Sequence, residues 1–544
     1  MSGERRPRGA ALVGRAAGTP LGPRRWRVHD ALVPMRDGVR LRTDVHRPEG
    51  TPVGTVLVRD PYGRRGVLPW FFTRPFVSNG YVVVYQSCRG TFGSEGTFEP
   101  ARHEVADAID TVAWMRNQPW YTGAFATLGG SYTGFTQWAL RVDEPADLAA
   151  SVIAVAPHDL ARLVWDGGAL RLDDMLGWTE SVATQEDHAG LAALRHDLTR
   201  RRRIAPALAP APVIGSARAL LGDRAPWFVD WLTHPDVEDE YWAPHRLDGV
   251  LESTTAPVLL VGGWHDVMIR QTLEQHQRLT ERGVETALTV GPWAHGPDLL
   301  LKGALRLLVQ EALDWFDHHL RGRPLARRSA VRIKTSGGTT WHETAAWPAT
   351  SRPTVVHLAS GSGLGTRPVE GPTRLRFTHD PADPTPVPGG HALFPPSGPR
   401  DDGATESRPD VLVLTSAPLP GATTLLGEPT VTLHHTVDSE DAELHVRLCR
   451  VDHRGRSTGM ADGHLRVVGE PGALHTSIIR LRPVAVDLAA GTRLRLVLSG
   501  TAHPAFASPV ALAEPGDIRA ARPRVHEIAV EPGHDPVLTV PTRS

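Results

Sequence analysis

The chain has 544 residues, a length that fits roughly three to four domains. Its 59 lysines and arginines nearly balance 60 aspartates and glutamates, so net charge gives no reason to expect a nucleic acid or a membrane surface as a partner. The two cysteines, Cys88 and Cys449, lie far apart and in no metal-ligand spacing. This pattern suggests neither a disulfide framework nor a zinc site, and it suits the reducing cytoplasm.

Residues 1–25 are predicted to form a flexible arm, because the longest apolar run in this arginine-rich stretch is too short for a signal peptide or a membrane span. From Trp26 onwards, alternating apolar residues on both sides of Asp37-Gly38 predict an antiparallel hairpin. Buried strands at 55–59, 81–85 and 150–156, with helical spacing between them, then predict a mostly parallel sheet. We assign residues 26–160 and 251–328 to the two parts of this sheet domain.

The stretch 161–250 is rich in Leu, Ala and Arg and predicts an inserted helical cap, in which residues 200–203 are interpreted as a solvated helix face. Beyond 328, short apolar segments separated by Pro, Gly and Asp predict an all-β sandwich of jelly-roll type over 329–544. Residues 377–407, rich in Pro, Gly and Asp, are expected to form a long surface loop. The predicted fold class is therefore α/β, with a helical cap and a C-terminal all-β domain.

One serine, Ser131, lies between an apolar strand pattern and a helix pattern and is surrounded by small residues. A serine at such a corner matches the nucleophile elbow of the α/β-hydrolase fold, where a sharp turn exposes the hydroxyl above the sheet. The usual G-x-S-x-G is altered here. Gly129 keeps the first glycine position, whereas Thr133 replaces the second and Gly134 follows one residue later.

Two later strands are each followed by a residue that could complete a catalytic triad. Asp266 follows the strand predicted at 257–263, and His295 follows the strand at 286–290. Asp266 alone could cap a helix, and His295 alone could be one of many structural histidines. The chain order Ser131, Asp266, His295 is nevertheless the order expected of an α/β-hydrolase, which the competing pair at 158–159 violates. We therefore predict that His295 is the general base and that Asp266 orients it.

Five segments together resemble the CocE/NonD family, the cocaine-esterase and X-prolyl dipeptidyl-peptidase-like α/β-hydrolases. These segments are Asp60-Pro61-Tyr62, residues 89–96, residues 129–134, residues 262–266 and residues 291–295. The resemblance implies an oxyanion hole formed by the Tyr62 hydroxyl and the backbone N–H of Tyr132. It also implies an acyl pocket lined by Trp165, Trp178 and Met268, and it requires no metal and no cofactor.

The predicted function is a serine hydrolase that cleaves carboxylic esters, and by the same chemistry amides, through an acyl-enzyme. Its substrate would be a small-molecule ester or a short peptide. An X-Pro dipeptidyl peptidase is the first alternative, since cap acids could bind a substrate ammonium. The candidate acids are Asp166, Asp173, Asp174 and Glu180. The apolar run 267–269 after Asp266 argues against an amino-group pocket there, and a non-catalytic scaffold is the second alternative.

Overall fold

The computed structural model describes residues 19–209, 212–247, 249–296, 298, 303–348, 351–359, 363–368, 371–508, 522–531 and 533–543. Most of the predicted N-terminal arm, residues 1–18, lies outside the described residues. Two large sheets organise the described residues, one of ten strands and one of thirteen. Among the helices that the structure describes, none combines the length and the apolar character needed to cross a membrane.

The part of the chain up to residue 344 builds a ten-stranded, mostly parallel sheet. The strands up to residue 344 are β1 (Trp26–Pro34), β2 (Arg40–Pro48), β3 (Thr55–Asp60), β4 (Val82–Ser87), β5 (Phe125–Gly130), β6 (Leu148–Ala154), β7 (Trp165–Asp166), β8 (Ala169–Leu170), β9 (Val258–His265), β10 (Thr286–Ala294), β11 (Val331–Lys334) and β12 (Trp341–Thr344). The order is β1-β2-β4-β3-β5-β6-β9-β10-β11-β12, and β7 pairs only with β8. β1 and β2 form the predicted antiparallel hairpin. The strands from β4 to β11 in this order are all parallel, so their carboxyl ends share one edge.

Helices cover both faces of this sheet and form the cap, and a short helix also lies in the C-terminal part. They are α1 (Val67–Ser78), α2 (Glu104–Arg116), α3 (Tyr132–Leu140), α4 (Ala161–Val164), α5 (Leu172–Thr184), α6 (Leu191–Ile204), α7 (Val213–Leu221), α8 (Pro226–Thr233), α9 (Val250–Ser253), α10 (Ile269–Glu281), α11 (Ala304–Arg321) and α12 (Gly403–Glu406). One apolar cluster joins α1 and α11 to the sheet, and a second joins α3 and α10 to it. All six residues of β3 and of β4 are buried, as expected of strands covered on both faces.

The cap helices α5 to α8 pack on the same apolar cluster as α3. Within the cap, the interpretation of residues 200–203 as a solvated face is wrong in part. Arg200 is buried and its guanidinium lies 3.6 Å from the centre of the Phe394 ring, whereas Arg203 pairs with Glu180 at 2.8 Å. The helical repeat explains this difference, because it turns Arg200 and Ile204 to the same buried side of α6.

The C-terminal part is all-β, as predicted, with a core of leucine and valine side chains. Its strands are β13 (Arg352–Ala359), β14 (Gly363–Gly365), β15 (Thr373–His379), β16 (Val411–Ser416), β17 (Thr423–Gly427), β18 (Thr430–Val437), β19 (Asp441–Val451), β20 (Ser457–Val468), β21 (His475–Arg480), β22 (Val484–Leu488), β23 (Arg493–Ser499), β24 (Arg524–Val530) and β25 (Val537–Arg543). β11 and β12 follow residue 328 but continue the first sheet, since β11 pairs in parallel with β10. A strand of only four residues carries too little pattern to reveal this.

The segment between β15 and β16 differs from the expected surface loop. His391 and Leu393 are each only 5% exposed. The ring of His391 donates a hydrogen bond from Nε2 to the carbonyl of Trp264 at 2.9 Å, and the Leu393 N–H donates to Asp174 at 2.8 Å. This segment therefore packs between the first sheet and the cap, where its polar groups find partners.

Candidate active site

Ser131 occupies the sharp corner between β5 and α3. Its φ of 56° and ψ of −131° lie outside the regions that residues other than glycine readily adopt. Two backbone hydrogen bonds hold this geometry: the Ser131 N–H donates to Ala154 at 3.0 Å, and the Ser131 carbonyl accepts from Gly134 at 2.9 Å. A strained backbone fixed in this way is typical of a nucleophile elbow.

The structure explains the displaced glycine of the serine motif. A Cβ atom on Gly134 would lie 2.3 Å from the side chain of Ala156, so only glycine lets α3 approach β6 this closely. A Cβ atom on Gly129 would lie 2.4 Å from Cγ2 of Thr133. Thr133 is thus accommodated by the absence of a side chain at Gly129. The close contact that requires a glycine in α3 is made by the next residue, Gly134.

Asp60 links the Tyr62 turn to the elbow. It is fully buried and accepts hydrogen bonds from the Tyr62 N–H, from the Tyr85 hydroxyl at 2.7 Å and from the Thr133 hydroxyl at 3.2 Å. Burial raises the pKa of Asp60 to about 6, although these hydrogen bonds act in the opposite direction. At neutral pH its carboxylate therefore remains ionised and holds the turn against α3.

The Tyr62 hydroxyl lies at the serine. Its oxygen accepts a hydrogen bond from Nε1–H of Trp178 at 3.0 Å. The Ser131 side chain is close enough to this hydroxyl to influence its pKa. Burial raises the pKa of Tyr62 above its usual value, so the phenol keeps its proton. Trp178 donates to the Tyr62 oxygen and so does not use the phenol proton. That proton is therefore available to a negative charge that develops beside Ser131.

Tyr132 can contribute only its backbone to this site. It is the first residue of α3, so its N–H has no acceptor within the helix. Its side chain is buried, stacks on Trp178 with ring centres 5.8 Å apart, and donates a hydrogen bond to Glu104 at 3.1 Å. An N–H at a helix start beside Ser131, with no acceptor in the helix, is the type of donor that an oxyanion hole needs.

Asp266 and His295 form a pair at the same edge of the sheet. They follow the neighbouring parallel strands β9 and β10, and Nδ1 of His295 lies 2.7 Å from Oδ2 of Asp266. The other carboxylate oxygen of Asp266, which is fully buried, accepts from the Met268 N–H at 2.8 Å. Burial acts to lower the pKa of His295, but the Asp266 carboxylate outweighs it and raises the pKa. Nδ1–H therefore donates to Asp266, which leaves Nε2 as the basic nitrogen.

His295 contacts Asp266, and Ser131 lies near the Tyr62 hydroxyl whose pKa it influences, along one sheet edge. Transfer of the Ser131 proton to His295 remains a prediction. Of the predicted pocket residues, Trp178 contacts Tyr62 directly. Trp165 and Met268 are buried in the apolar cluster against which Tyr62 and Trp178 pack, and Nε1–H of Trp165 donates to the Trp231 carbonyl at 3.2 Å. Their contact with substrate is therefore still a prediction.

Three residues that the sequence did not reveal hold the loop around Asp266. His391 donates to the Trp264 carbonyl, the Ser336 hydroxyl lies 3.0 Å from Nε2 of His265, and Arg482 donates to the Val267 carbonyl at 3.0 Å. We call this set, Ser336, His391 and Arg482, the Asp266 clasp. All three lie far along the chain from Asp266 and belong to no local motif, so no sequence pattern could have identified them.

Replacing Tyr62 by phenylalanine is expected to lower kcat by roughly 10²- to 10³-fold with a smaller change in KM, because one donor to the developing oxyanion is lost. Steady-state kinetics on an activated ester would measure this. Tyr121→Phe is the matched control, since that hydroxyl binds Asp147 far from the elbow. An unchanged kcat in Tyr62→Phe would remove Tyr62 from the oxyanion hole.

Comparison with known proteins places this arrangement in a family. The model of the X-Pro dipeptidyl-peptidase (S15 family) matches residues 37–297. The model of the X-Pro dipeptidyl-peptidase C-terminal non-catalytic domain matches residues 326–537. A cocaine esterase from Rhodococcus sp. (strain MB1 Bresler) is 31% identical over 532 residues, which cover 88% of this chain and 91% of that esterase.

Solved structures share the whole architecture. An aminopeptidase from the marine sediment archaeon Thaumarchaeota archaeon superimposes with a TM-score of 0.78 at 21% identity, covering 95% of this chain and 97% of its own. An α-amino acid ester hydrolase gives 0.75 at 21% identity with the same coverage, and a CocE/NonD family hydrolase from Staphylococcus aureus gives 0.71 at 17% identity, covering 97% and 98%. With the cocaine esterase and the matched family models, these likenesses confirm the predicted resemblance. The chain belongs to the S15, or CocE/NonD, family of α/β-hydrolases and is a serine hydrolase.

Proposed function

We propose that this enzyme hydrolyses carboxylic esters of small molecules in preference to X-Pro peptides. This proposal rests on one observation, the ion pairing of the four cap acids that could have bound a substrate ammonium. Each of them faces an arginine of the same chain. An aminopeptidase needs a carboxylate that is free to bind the substrate's amino group, and three of these carboxylates, Asp166, Asp174 and Glu180, are held in close ion pairs.

The ion pairs of Asp166, Asp174 and Glu180 are short, whereas that of Asp173 is longer and involves a half-exposed arginine. Asp166 contacts Arg171 at 3.0 Å and also pairs with Arg482. Asp174 contacts Arg171 at 2.9 Å. The arginines that face the other two acids are on α6: Arg203 lies 2.8 Å from Glu180, and Arg201 lies 3.7 Å from Asp173. Releasing a buried carboxylate from such a pair to bind a substrate would carry a large free-energy cost.

The loop after Asp266 supports the same preference. Val267, Met268 and Ile269 are all less than 4% exposed and have apolar side chains. No acid follows Asp266 there to bind an ammonium, so the surroundings of the loop suit an uncharged acyl group. The cocaine esterase, the relative with 31% identity, agrees with an ester substrate.

In the proposed mechanism, His295 removes the proton of Ser131 while the serine oxygen attacks the ester carbonyl carbon. The Tyr62 hydroxyl and the Tyr132 N–H stabilise the resulting oxyanion. His295 then protonates the leaving alcohol, and an acyl-enzyme on Ser131 remains. A water molecule, deprotonated by His295, then attacks the acyl carbon, and the bond to the Ser131 oxygen breaks. The acid leaves, and His295 returns a proton to Ser131. Asp266 keeps the imidazole oriented throughout and stabilises its charged form.

The test compares p-nitrophenyl acyl esters with X-Pro-p-nitroanilides, using the native enzyme and Ser131→Ala. We expect a larger kcat/KM for the esters, and a loss of both rates in the variant. The S15 family model keeps the X-Pro peptidase as the second candidate. A Ser131-dependent rate that is confined to the anilides would establish that candidate and overturn the ester proposal.

We also propose that the enzyme acts in the cytoplasm. Cys88 and Cys449 are both buried as free thiols, a state that a reducing compartment preserves. Cell fractionation followed by immunodetection would test this location.

A further inference from the structure

A cluster of three potential metal ligands lies at the sheet edge opposite Ser131. Glu285 comes immediately before β10, at its amino end. His318 and His319 are in the last turn of α11, which follows β10 and ends at Arg321. Each of the three side chains offers one ligand atom, and these atoms all lie within 4.8 Å of one another.

His319 supplies the clearest sign that a ligand belongs here. Its side chain is 10% exposed, and within the described part of the chain its Nε2 is buried without a hydrogen-bond partner. This nitrogen lies 3.7 Å from a carboxylate oxygen of Glu285. The ring is fixed against Trp315, with ring centres 4.5 Å apart. A buried ring nitrogen normally has a partner, and a cation between it and the carboxylate would satisfy both groups.

His318 makes the kind of hydrogen bond that metal-binding histidines usually make. Its Nδ1 lies 2.6 Å from the carbonyl oxygen of Arg323, so Nδ1–H donates there and Nε2 keeps its lone pair. A ligating histidine commonly donates its other ring N–H to a carbonyl or a carboxylate, which fixes the tautomer. The rings of His318 and His319 meet edge to face, with centres 4.7 Å apart.

The local charges also favour a cation. The carboxyl end of a helix carries a partial negative charge, and both histidines lie in the last turn of α11. Two arginines are close in sequence, but Asp317 binds both of them, Arg321 at 2.7 Å and Arg323 at 2.6 Å. The carboxylate of Glu285 adds a full negative charge at the cluster.

We propose that Glu285, His318 and His319 bind a zinc ion, with water in the fourth position. Two imidazole nitrogens and one carboxylate oxygen are ligands that Zn²⁺ accepts in a tetrahedral arrangement. At typical bond lengths near 2.1 Å, two ligand atoms lie roughly 3.4 Å apart, so the present spacing needs only small side-chain rotations. The ion would connect the end of α11 to the start of β10. It lies at the edge away from Ser131, so it stabilises the fold and takes no part in hydrolysis.

The test is a zinc titration of the full-length protein in competition with a chromophoric chelator. We expect one tight site in the native protein, weakened by about tenfold or more in Glu285→Gln and in His318→Ala. His342→Ala, which removes an exposed histidine on β12, serves as the matched control and should bind zinc as the native protein does. Glu285 is itself 54% exposed, so Glu285→Gln should fold normally.

Two further readouts separate a built site from weak binding at scattered histidines. Added Zn²⁺ should raise the Tm of the native protein and of His342→Ala, but not that of Glu285→Gln. Ester hydrolysis should be the same in all of these proteins. Equal zinc affinity in the native protein, Glu285→Gln and His318→Ala would overturn the proposal.

Discussion

Ser131→Ala is expected to lower kcat on an activated ester by roughly 10⁶-fold, because the variant has no group to form the acyl-enzyme. Binding and oxyanion stabilisation would persist, so KM should change little and a small residual rate should remain. Steady-state kinetics would give these values. Covalent labelling by a fluorophosphonate probe, seen by mass spectrometry, would report the nucleophile directly.

The matched control for this variant is Ser253→Ala, which changes an exposed serine at the end of α9. It should keep the native rate and the native labelling. Persistent labelling of Ser131→Ala at the same rate would show that another residue is the nucleophile.

Asp266→Asn is expected to lower kcat by roughly 10⁴-fold while the fold is kept, because the amide no longer holds His295 in the tautomer whose Nε2 is basic. Asp223→Asn, at an exposed position in the cap, is the control and should not change the rate. A variant Asp266→Asn with native kcat would mean that Asp266 does not orient the base.

The pH dependence of the same variant has a definite sign. The base must be neutral to accept a proton, so kcat/KM rises as the pH passes through the pKa of His295. Burial lowers this pKa and the Asp266 carboxylate raises it, with the carboxylate dominant in the native enzyme. Removing the carboxylate charge should therefore move the acidic limb of the residual activity to lower pH. A shift to higher pH would contradict this assignment.

The parallel sheet could be predicted because its strands are nearly continuous apolar runs, such as β4, whose six residues are all buried. The hairpin of β1 and β2 could also be predicted, because Asp37-Gly38 is a typical turn sequence between two strands. The extension of the sheet through β11 and β12 was not predictable, since each has only four residues. The burial of the segment around His391 also escaped prediction, because Pro and Gly mark a loop but do not say what it packs against.

For the candidate site, sequence reasoning selected residues that follow recognisable strands, and their catalytic roles remain predictions. In the structure, Asp266 contacts His295. Sequence reasoning failed where the surroundings of a residue depend on partners that are distant in the chain. The run of arginines around Arg200 predicts an exposed residue. In the fold, however, Arg200 is buried against Phe394. Pairing between charged groups brought together by folding leaves no periodic pattern in the chain.

The Asp266 clasp has a consequence for how such enzymes diversify. The C-terminal part of the chain matches a domain described as non-catalytic, yet His391 and Arg482 support the backbone on either side of the predicted catalytic aspartate. Recombination that exchanges this domain between distant homologues must therefore preserve both donors, or the hybrid will lose turnover although each half folds. Helices α7 and α8 contribute nothing to the clasp, so new substrate preferences can evolve there at much lower risk.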